Sequence, residues 1–443
     1  MFGILAYSFN IINLNFILSN IILIPIFEII TIIGIVNILG IGLLICMGLK
    51  PEVVLSYWII ERILRYMYMI IDFMLDIVIK ITNILSSFKY NIYVRNFNIA
   101  IYILYYLIII FLCIYIILKA RNTKIDQNIT TENIIKDIIN IIIFLCIIFG
   151  ITILINIIYD NSVRKNTAYF VDIGQGDSSL IQTKDGKNIL IDTGEGESNR
   201  YPAGKKILFP YLLKRNVHKL DLLIISHFDS DHSGGAKYIL ENMEVDRIII
   251  SPQFRYSKQY IEVMKVIIEN NKKGKKTDVI YGINGGIIKC GKYFNMKIYG
   301  PINKYITKNI LNNNSLVFLA TIGNKKILYT GDIEKLAEEQ IIKRIEGIHI
   351  DYLKVAHHGS RSSTTDIFLN NIKCKYFVIS CGVNNMFRHP SKETIDRINT
   401  YIEKQYEDEK KEKEKKKNKK DKNKEKGKIY RTDLLGEVVI CLE

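Results

Sequence analysis

The sequence has few of the residues that cross-link small domains. Its seven cysteines form no C-x-x-C pair, and three of them, Cys46, Cys113 and Cys146, lie in apolar runs. This excludes a zinc finger and a disulfide framework, and we expect the thiols to be inert. No basic segment or small-residue cleavage site accompanies the apolar N-terminus, so we expect no cleavable signal peptide.

Apolar and charged residues are segregated along the 443 residues. The chain is 49% hydrophobic and carries a net charge of +16, and its mean hydropathy is +0.14. Residues 1–160 are mostly Ile, Leu, Tyr and Asn, whereas Gly, Asp and His are concentrated after residue 165. The pattern excludes a wholly soluble globular protein, a fibrous repeat and a disordered chain. It predicts a membrane α-helical region over 1–162, followed by an α/β domain over 163–443.

Two apolar runs without interruption, 101–119 and 138–158, are long enough to cross a membrane. The stretch 20–49 contains Pro25 and predicts either one tilted span or two short ones. Residues 53–85 mix charged with apolar residues, which favours an amphipathic helix on the membrane surface or in a bundle. A large soluble helical bundle is the alternative for the whole region.

The second part alternates short apolar runs with Gly and Asp. Strands are predicted over 168–174, 178–183, 188–194 and 220–227, and a helix over 203–214. This order indicates a layered α/β domain. The Lys-rich segment 403–428 predicts a disordered insert or a frayed charged helix, with contact to an anionic polymer or lipid as the alternative function. Residues 429–443 then predict a terminal hairpin.

The chemistry is concentrated directly after the predicted strand 220–227. His227, Asp229, Asp231 and His232 follow one another within six residues, although the chain has only seven histidines. Imidazole and carboxylate groups at this spacing can converge on one or two divalent ions from a single turn. The neighbouring Gly234-Gly235 pair lets the backbone pass close to those ligands.

Three further segments supply groups of the same kind. Asp332 follows a strand and a Thr-Gly pair, a position suited to bridging two metals. The pair His357-His358 ends another strand before Gly-Ser, which favours a site over a structural histidine. His389 lies at a loop–helix junction, and the sequence leaves open whether it contacts substrate or forms part of the helix start.

Four motifs occur in the order typical of the metallo-β-lactamase superfamily. They are I-D-T-G (191–194), H-x-D-x-D-H (227–232), T-G-D (330–332) and H-H-G-S (357–360). The superfamily usually has His at the position of Asp229. Segments 170–178, 313–317, 389–391 and 431–433 more narrowly resemble the hydrolase domain of ComEC-type DNA-internalisation competence proteins, a resemblance that covers about 166–443. Residues 19–25 are more weakly similar to the end of the competence membrane domain.

The resemblance implies a four-layered αββα sandwich and a membrane-bound nuclease that degrades one DNA strand while the other is taken up. It also implies two divalent metal ions, Zn²⁺ or Mn²⁺. Carried over by motif, one ion would be held by His227 and Asp229, and the other by Asp231, His232 and His358, with Asp332 as the bridge. The first position has few ligands, because Asn313-Asn314-Ser315 replaces the region where the superfamily often has a third His.

The remaining expected roles fall into three groups. The catalytic candidates are Asp231, His357 and His389. The candidates for substrate contact are Lys354, Asn314 and Ser360. The candidates for organising the site are Asp172, Gln175, Asp177 and Asp192, of which the first three could equally be structural.

The expected partners are DNA, single- or double-stranded, and the membrane. Other DNA-uptake proteins or a missing N-terminal half are further candidates, because the chain lacks the early parts expected of a full-length family member. The family resemblance places the hydrolase domain of a multi-pass cell-membrane protein on the extracellular face, whereas the small Lys/Arg bias of the loops would place it in the cytoplasm. The sequence predicts no oligomeric state.

Two other functions remain open from the sequence. One is a membrane-tethered phosphodiesterase that acts on a cell-wall polymer or a lipid headgroup, and the other is a truncated, non-catalytic component of a split DNA-uptake system. Basic surface near the metal cleft would favour the nuclease, and an apolar or choline-sized aromatic pocket would favour the wall polymer or lipid. Hydrolysis of a β-lactam or thioester is disfavoured by Asp229.

Overall fold

The structure is a computed structural model of the chain. It describes residues 8, 10–13, 15–46, 55–87, 91–93, 96–123, 131–196, 202–252, 257–302, 305–415 and 425–443. The chain forms two compact units, Met1–Arg95 and Asn96–Glu443. The domain boundary predicted at 162–163 stays a prediction. It coincides with a change from long helices to sheets.

The first unit is a pair of long helices, α1 (Asn15–Cys46) and α2 (Leu55–Ser87), with a short antiparallel pair of strands, β1 (Ile11–Asn13) and β2 (Asn91–Tyr93). The apolar stretch predicted as one or two spans is a single helix through Pro25, and Ser19–Gly42 is long and apolar enough to cross a membrane. The helix α2 packs on α1, where Asn37 Nδ2 donates to the Leu64 carbonyl at 3.2 Å. The amphipathic helix predicted over 53–85 is therefore present as α2, and it contacts the apolar helix α1.

The second unit begins with two more apolar helices, α3 (Ile99–Thr123) and α4 (Thr131–Ser162). Ile99–Leu118 and Ile135–Ser162 are long and apolar enough to span a membrane, which confirms both predicted runs. At most 6% of each apolar segment is buried. A soluble bundle would bury these side chains, so their exposure favours a lipid environment.

The remainder of this unit contains two seven-stranded sheets. Sheet I has the order β10-β9-β7-β5-β4-β3-β18. Its strands are β3 (Thr167–Phe170), β4 (Ser179–Gln182), β5 (Asn188–Ile191), β7 (Leu222–Ile225), β9 (Arg247–Ile250), β10 (Asp278–Tyr281) and β18 (Val438–Cys441). The short strands β6 (Lys219–Leu220) and β8 (Glu244–Val245) pair with each other beside it.

Sheet II has the order β11-β12-β13-β14-β15-β16-β17. Its strands are β11 (Ile287–Cys290), β12 (Phe294–Gly300), β13 (Val317–Ile322), β14 (Lys325–Tyr329), β15 (His349–Lys354), β16 (Lys373–Ile379) and β17 (Lys428–Arg431). The strands β14 to β17 run parallel, and so do β5, β7, β9 and β10 of sheet I.

The two sheets pack face to face around one apolar core. Phe170, Leu222 and Ile224 of sheet I contact a cluster that includes Phe318 and Ile327 of sheet II, and all five are fully buried. Side chains alternate between the faces of a strand. The outward-facing neighbours in both sheets are buried too, so each sheet must be covered on its other side.

Helices supply that cover. Their ranges are α5 (Phe209–Lys214, preceded by a π-helical turn, Gly204–Leu208), α6 (Ser230–Ser233), α7 (Ala236–Asn242), α8 (Lys258–Lys272), α9 (Ile310–Asn313), α10 (Lys335–Ile345), α11 (Asp366–Asn370), α12 (Lys392–Lys415) and α13 (Thr432–Leu435). The helices α10, α11 and α12 pack on sheet II around Phe368 and Phe377, and α5, α7 and α8 carry buried apolar residues beside sheet I. The layers are helix, sheet, sheet and helix, as expected.

One expectation for the C-terminal part is wrong. The predicted terminal hairpin does not form, because β17 pairs with β16 in sheet II while β18 pairs with β3 in sheet I. The first part of the segment 403–428 forms the charged helix that the sequence left open, because α12 continues to Lys415. Lys and Glu are good helix formers and pair along a helix face, so this segment extends the helix. Residues 416–424 lie outside the described residues.

The predicted site residues are gathered at one rim of the sandwich. The strands β5 and β7 of sheet I end just before Asp192 and His227, and β14 and β15 of sheet II end just before Asp332 and His358. Carboxyl ends of neighbouring parallel strands meet at the same sheet edge, which is where α/β folds place their ligand sites.

Candidate functional site: a metal centre at the rim of the sandwich

His232 lies at the centre of the site and is fully buried. Its Nδ1 donates to Asp192 Oδ2 at 2.9 Å, so its Nε2 points into the cluster. There Nε2 lies 3.1 Å from Asp332 Oδ1 and 3.3 Å from His358 Nε2. A carboxylate behind an imidazole fixes the ring and leaves the other nitrogen free for a metal.

His358 is held in the same manner by backbone. Its Nδ1 donates to the Ser380 carbonyl at 2.9 Å, and its Nε2 lies 3.2 Å from Asp231 Oδ2 and 3.6 Å from Asp332 Oδ2. Four donors therefore surround one position, and Asp332 reaches both histidines. These are the residues that motif comparison assigns to the second metal.

The first expected metal position is more open. His227 Nε2 lies 3.8 Å from Asp229 Oδ2 and 3.9 Å from Asp332 Oδ2. It is buried and has no hydrogen-bond partner within the described residues, whereas its Nδ1 lies 3.0 Å from Ser226 Oγ. The Asp229 side chain is 41% exposed. An imidazole nitrogen left unpaired beside two carboxylates is what a metal ligand requires.

The turn that carries four of these donors depends on close backbone contacts. A Cβ on Gly234 would lie 2.3 Å from the Gly196 nitrogen, and one on Gly176 would lie 2.3 Å from the Asp231 carbonyl oxygen. Thr193 also binds the His232 carbonyl through its hydroxyl at 3.0 Å. Two separate loops, one containing Gly176 and one containing Thr193 and Gly196, are thus packed against the turn, and glycine is required at these close approaches.

Burial and close carboxylates shift the pKa values of the site in opposite directions. Burial, reinforced by His232, lowers the pKa of His227 to about 3. Burial also opposes charge on His358, but Asp332 and Asp177 outweigh it and raise the pKa of that imidazole to about 9. Nearby cationic histidines hold the pKa of Asp332 well below its usual range despite its burial. The proton that His358 binds therefore lies where a metal cation would bind.

The donor set fits a divalent metal. Oxygen or nitrogen atoms of Asp177, His232, Asp332 and His358 all lie within 4.8 Å of one another, and all four residues are buried. Mixed imidazole and carboxylate donors suit Zn²⁺ and Mn²⁺. The structure thus brings together all six expected ligands, and it adds Asp177, which was expected only to organise the site.

The two remaining catalytic candidates lie at the edge of the cluster. The His357 side chain is 20% exposed, with Nε2 3.8 Å from Asp332 Oδ2 and Nδ1 3.8 Å from Glu334 Oε1. The His389 ring lies 5.7 Å from that of His357, and burial lowers the pKa of His389 to about 4. Both are placed where a substrate could reach them, and their catalytic roles stay predictions.

The three substrate-contact predictions conflict with burial. Lys354 is 3% exposed and its ammonium group donates to Asp177 instead. Asn314 is 1% exposed, and its amide bonds the backbone of 306 and 310. Ser360 is 7% exposed, with its hydroxyl 3.1 Å from that of Ser362. Their side chains face the protein interior, so they stabilise the loops around the site.

The organising residues tie those loops together. Asp172 accepts the amide of Gly174 at 3.1 Å, and Gln175 accepts that of Gly382 at 3.3 Å. Asp192 accepts both the amide and the hydroxyl of Ser226, at 2.8 and 2.7 Å. Ser226 was not among the residues predicted from the sequence. The signal available was a polar residue that ends an entirely apolar strand next to His227.

Residues 171–284 match the family described as "Metallo-beta-lactamase superfamily", and the two-sheet fold and its donor set agree with that match. Residues 1–119 match the family described as "Competence protein". The chain is therefore similar to a competence protein in its apolar helical part and to the metallo-β-lactamase superfamily in part of its two-sheet domain.

Three individual proteins are similar to a little less than half of the chain. The chain is 31% identical over 209 residues to ComE operon protein 3 of Bacillus subtilis, covering 45% of this chain and 25% of that protein. It is 29% identical over 194 residues to Recombination protein 2 of Haemophilus influenzae, covering 44% and 22%. Competence protein ComA of Neisseria gonorrhoeae is 27% identical, covering 45% and 25%. Each alignment thus spans about a quarter of the relative's length.

Solved structures resemble the chain more distantly. The metallo hydrolase Igni18 of Ignicoccus hospitalis has a TM-score of 0.34 at 17% identity, covering 54% of this chain and 90% of that one. Zn²⁺-bound PqqB of Methylobacterium extorquens has a TM-score of 0.33 at 8% identity, covering 47% and 88%. Because these scores are low, the fold assignment rests on the sheet topology and the family match.

Proposed function

We propose that the chain is a metal-dependent DNA nuclease that degrades the non-transported strand during DNA uptake. The observation that carries this proposal is a basic cavity beside the metal-binding turn. The cavity has a volume of about 290 Å³, and Ser230, which lies between Asp229 and Asp231, forms part of its wall. A phosphodiester chain bound there would pass directly beside the metal centre.

The lining of this cavity suits a nucleic-acid strand. Lys237 and Lys258 line it together with Tyr238, Gln259 and Glu262. Lys258 is paired with Glu262 at 3.8 Å, so two lysines and one glutamate give the lining a formal charge of +1. Lys205, whose ammonium group lies 5.5 Å from the centre of the Tyr238 ring, adds a further cation nearby. Lysines neutralise phosphates, and an aromatic ring can stack on a base. A site for a choline-like headgroup would instead need a cage of several aromatic rings.

The charge of the centre supports two divalent ions. Asp177, Asp192, Asp229, Asp231 and Asp332 converge here, and Lys354 is the buried cation among them. With the histidines neutral, five carboxylates and one ammonium leave a formal charge of −4. Two divalent cations would neutralise it. Uncompensated charge of this size is very unfavourable in a buried site.

The metal ligands would be assigned to the two ions as follows. His227 and Asp229 would hold one ion, and Asp231, His232 and His358 the other, with Asp332 between them.

When bound, two divalent ions supply an activated water and stabilise charge on the attacking and leaving oxygens. His357, at the exposed edge, is placed to hold a proton for the leaving oxygen, and His389 would exclude water behind it. The lysines of the cavity would orient the strand.

The test is cleavage of linear and circular DNA by the full chain in detergent, with Mn²⁺, Zn²⁺ or Mg²⁺. Activity that disappears in the variant Asp231→Ala/His232→Ala would establish the nuclease, and sparing of circles would make it an exonuclease. A folded, metal-loaded chain that cleaves no DNA but hydrolyses a small phosphodiester would favour the wall-polymer or lipid function. A chain that binds no metal would favour the non-catalytic component.

The role of the cavity has its own test. Lys237→Ala/Lys258→Ala should raise the KM for DNA several-fold and leave hydrolysis of a small phosphodiester unchanged. The matched control is Lys272→Ala/Lys275→Ala, which removes the same charge at the other end of α8 and just beyond it. Equal KM values in both double variants would contradict the assignment.

We also propose that the hydrolase domain faces the outside of the cell membrane, where incoming DNA arrives. Cys441 is exposed on β18 and provides a probe. A membrane-impermeant maleimide should label it in intact cells, and Cys441→Ser should abolish that labelling. Labelling only after permeabilisation would place the domain in the cytoplasm.

A further inference from the structure

A buried ion pair lies against the metal centre. Lys354 Nζ donates to Asp177 Oδ2 at 2.7 Å, and the two side chains are only 4% and 7% exposed. The ammonium group also donates to the Val355 carbonyl at 3.3 Å. Removing two charges from water carries a large desolvation cost, so a buried ion pair is weak evidence for a purely stabilising role. This pair calls for a functional explanation.

One of the two carboxylate oxygens of Asp177 is available to a ligand. Its Oδ2 accepts from Lys354, while its Oδ1 is buried and has no hydrogen-bond partner within the described part of the chain. An unpaired buried carboxylate oxygen is strongly unfavourable. Asp177 also belongs to the set of donors within 4.8 Å of one another, beside His232, His358 and Asp332. A cation in that set would satisfy the unpaired oxygen.

The position of this carboxylate is fixed by backbone on both sides. The amide of Asp177 donates to the Asp231 carbonyl at 3.0 Å, and the Asp177 carbonyl accepts the amide of Gly194 at 3.0 Å. The loop that carries Asp177 is therefore locked onto the turn that carries the other ligands. A ligand must be held in this way if it is to add affinity without an ordering cost.

We propose that Asp177 is an additional ligand of the metal centre, coordinating through Oδ1 while Lys354 holds Oδ2. The inference rests on the metal centre of the proposed function and extends it beyond the six residues given by the motifs. Lys354 is then a positioning residue that keeps Asp177 in a single-oxygen binding mode. The extra carboxylate makes this position richer in oxygen, which favours Mn²⁺ over Zn²⁺.

A rival account makes Asp177 only the counterion of Lys354. Both accounts predict weaker metal binding in Asp177→Asn, since that variant would leave a buried ammonium unpaired beside the ions. They differ once Lys354 is replaced by Met. A ligand is still lost when Asp177 is changed in that background, whereas a counterion with no cation to neutralise is dispensable.

The test is a double-mutant cycle read by calorimetric titration of the metal-free full chain, in detergent, with Mn²⁺. The four proteins are wild type, Asp177→Asn, Lys354→Met and the double variant. We expect Asp177→Asn to raise the Kd for Mn²⁺ at least tenfold in both backgrounds. Equal Kd values for Lys354→Met and the double variant would overturn the inference.

Two further measurements distinguish the loss of a metal ligand from misfolding of the variants. The double variant is neutral and close in shape to the wild type, and thermal unfolding of the metal-free proteins shows whether it folds. With Co²⁺, the double variant should differ from Lys354→Met in its visible absorption band, because one oxygen ligand is missing. Identical bands would overturn the inference. A wild type that binds metal but cleaves no DNA would contradict the proposed function alone, and one that binds no metal would overturn both.

Discussion

Asp192→Asn should weaken metal binding although Asp192 touches no metal. Its carboxylate accepts three hydrogen bonds, from the Ser226 amide at 2.8 Å, the Ser226 hydroxyl at 2.7 Å and His232 Nδ1 at 2.9 Å. The variant keeps the shape of the side chain. It exchanges one acceptor oxygen for an amide that can only donate.

The consequence falls on the tautomer of His232. If the new amide faces Nδ1, that nitrogen must accept a hydrogen bond, and the ring proton moves to Nε2. That nitrogen faces Asp332 at 3.1 Å and His358 at 3.3 Å, where a metal ligand must be free of its proton. Loss of such an orienting partner typically costs about 10–100-fold in metal affinity, which is about 1.4–2.8 kcal/mol.

The assay is the Kd for Mn²⁺ of the full chain in detergent. The control is Asp221→Asn, another carboxylate beside β7, which accepts from Lys187 Nζ at 2.7 Å and the Asn188 amide at 2.9 Å. We expect this control to bind Mn²⁺ as the wild type does. An unchanged Kd in Asp192→Asn would refute the argument that Asp192 sets the tautomer.

Three further outcomes follow from the geometry. Carboxylates raise the pKa of His358 to about 9 against the effect of its burial. The affinity for Mn²⁺, measured by calorimetry, should therefore increase from pH 6.5 to 9, and the metal-free chain should lose stability in thermal unfolding over the same range. A Kd and a stability that do not change with pH would contradict this. Gly176→Ala would bring a Cβ within 2.3 Å of the Asp231 carbonyl and should abolish tight Mn²⁺ binding, whereas Gly285→Ala, with a similar positive φ in open space, should lower only stability. Phe318→Ala in the core between the sheets should reduce the free energy of unfolding by about 3–5 kcal/mol in denaturant titrations. A loss below about 1 kcal/mol would contradict the burial of Phe318 between the two sheets.

The site was predictable where its residues are close in sequence. His227, Asp229, Asp231 and His232 occupy one turn after an apolar strand, so spacing alone brings them together. The order of the later motifs then supplied Asp332 and His358. The two spans at 101–119 and 138–158 were also predictable from neighbouring residues alone, because a long apolar run can be identified without knowing its tertiary contacts.

The surroundings of a residue could not be predicted where they depend on the direction of its side chain. Lys354 precedes the His-His pair, which suggested contact with substrate. It is the last residue of β15 and lies on the opposite face from Leu353, which packs under the helices on the outer side of sheet II. Lys354 therefore points between the sheets, where Asp177 meets it. The two residues are 177 positions apart, so no local pattern joins them.

The pair offsets only part of the negative charge of the metal centre. The chain has a net charge of +16, but its rim gathers five carboxylates around one buried ammonium. Without metal this rim would repel phosphate, while Lys237 and Lys258 beside it would attract a strand. Under the proposed function, a DNA strand would therefore reach the reacting position only after the ions are bound.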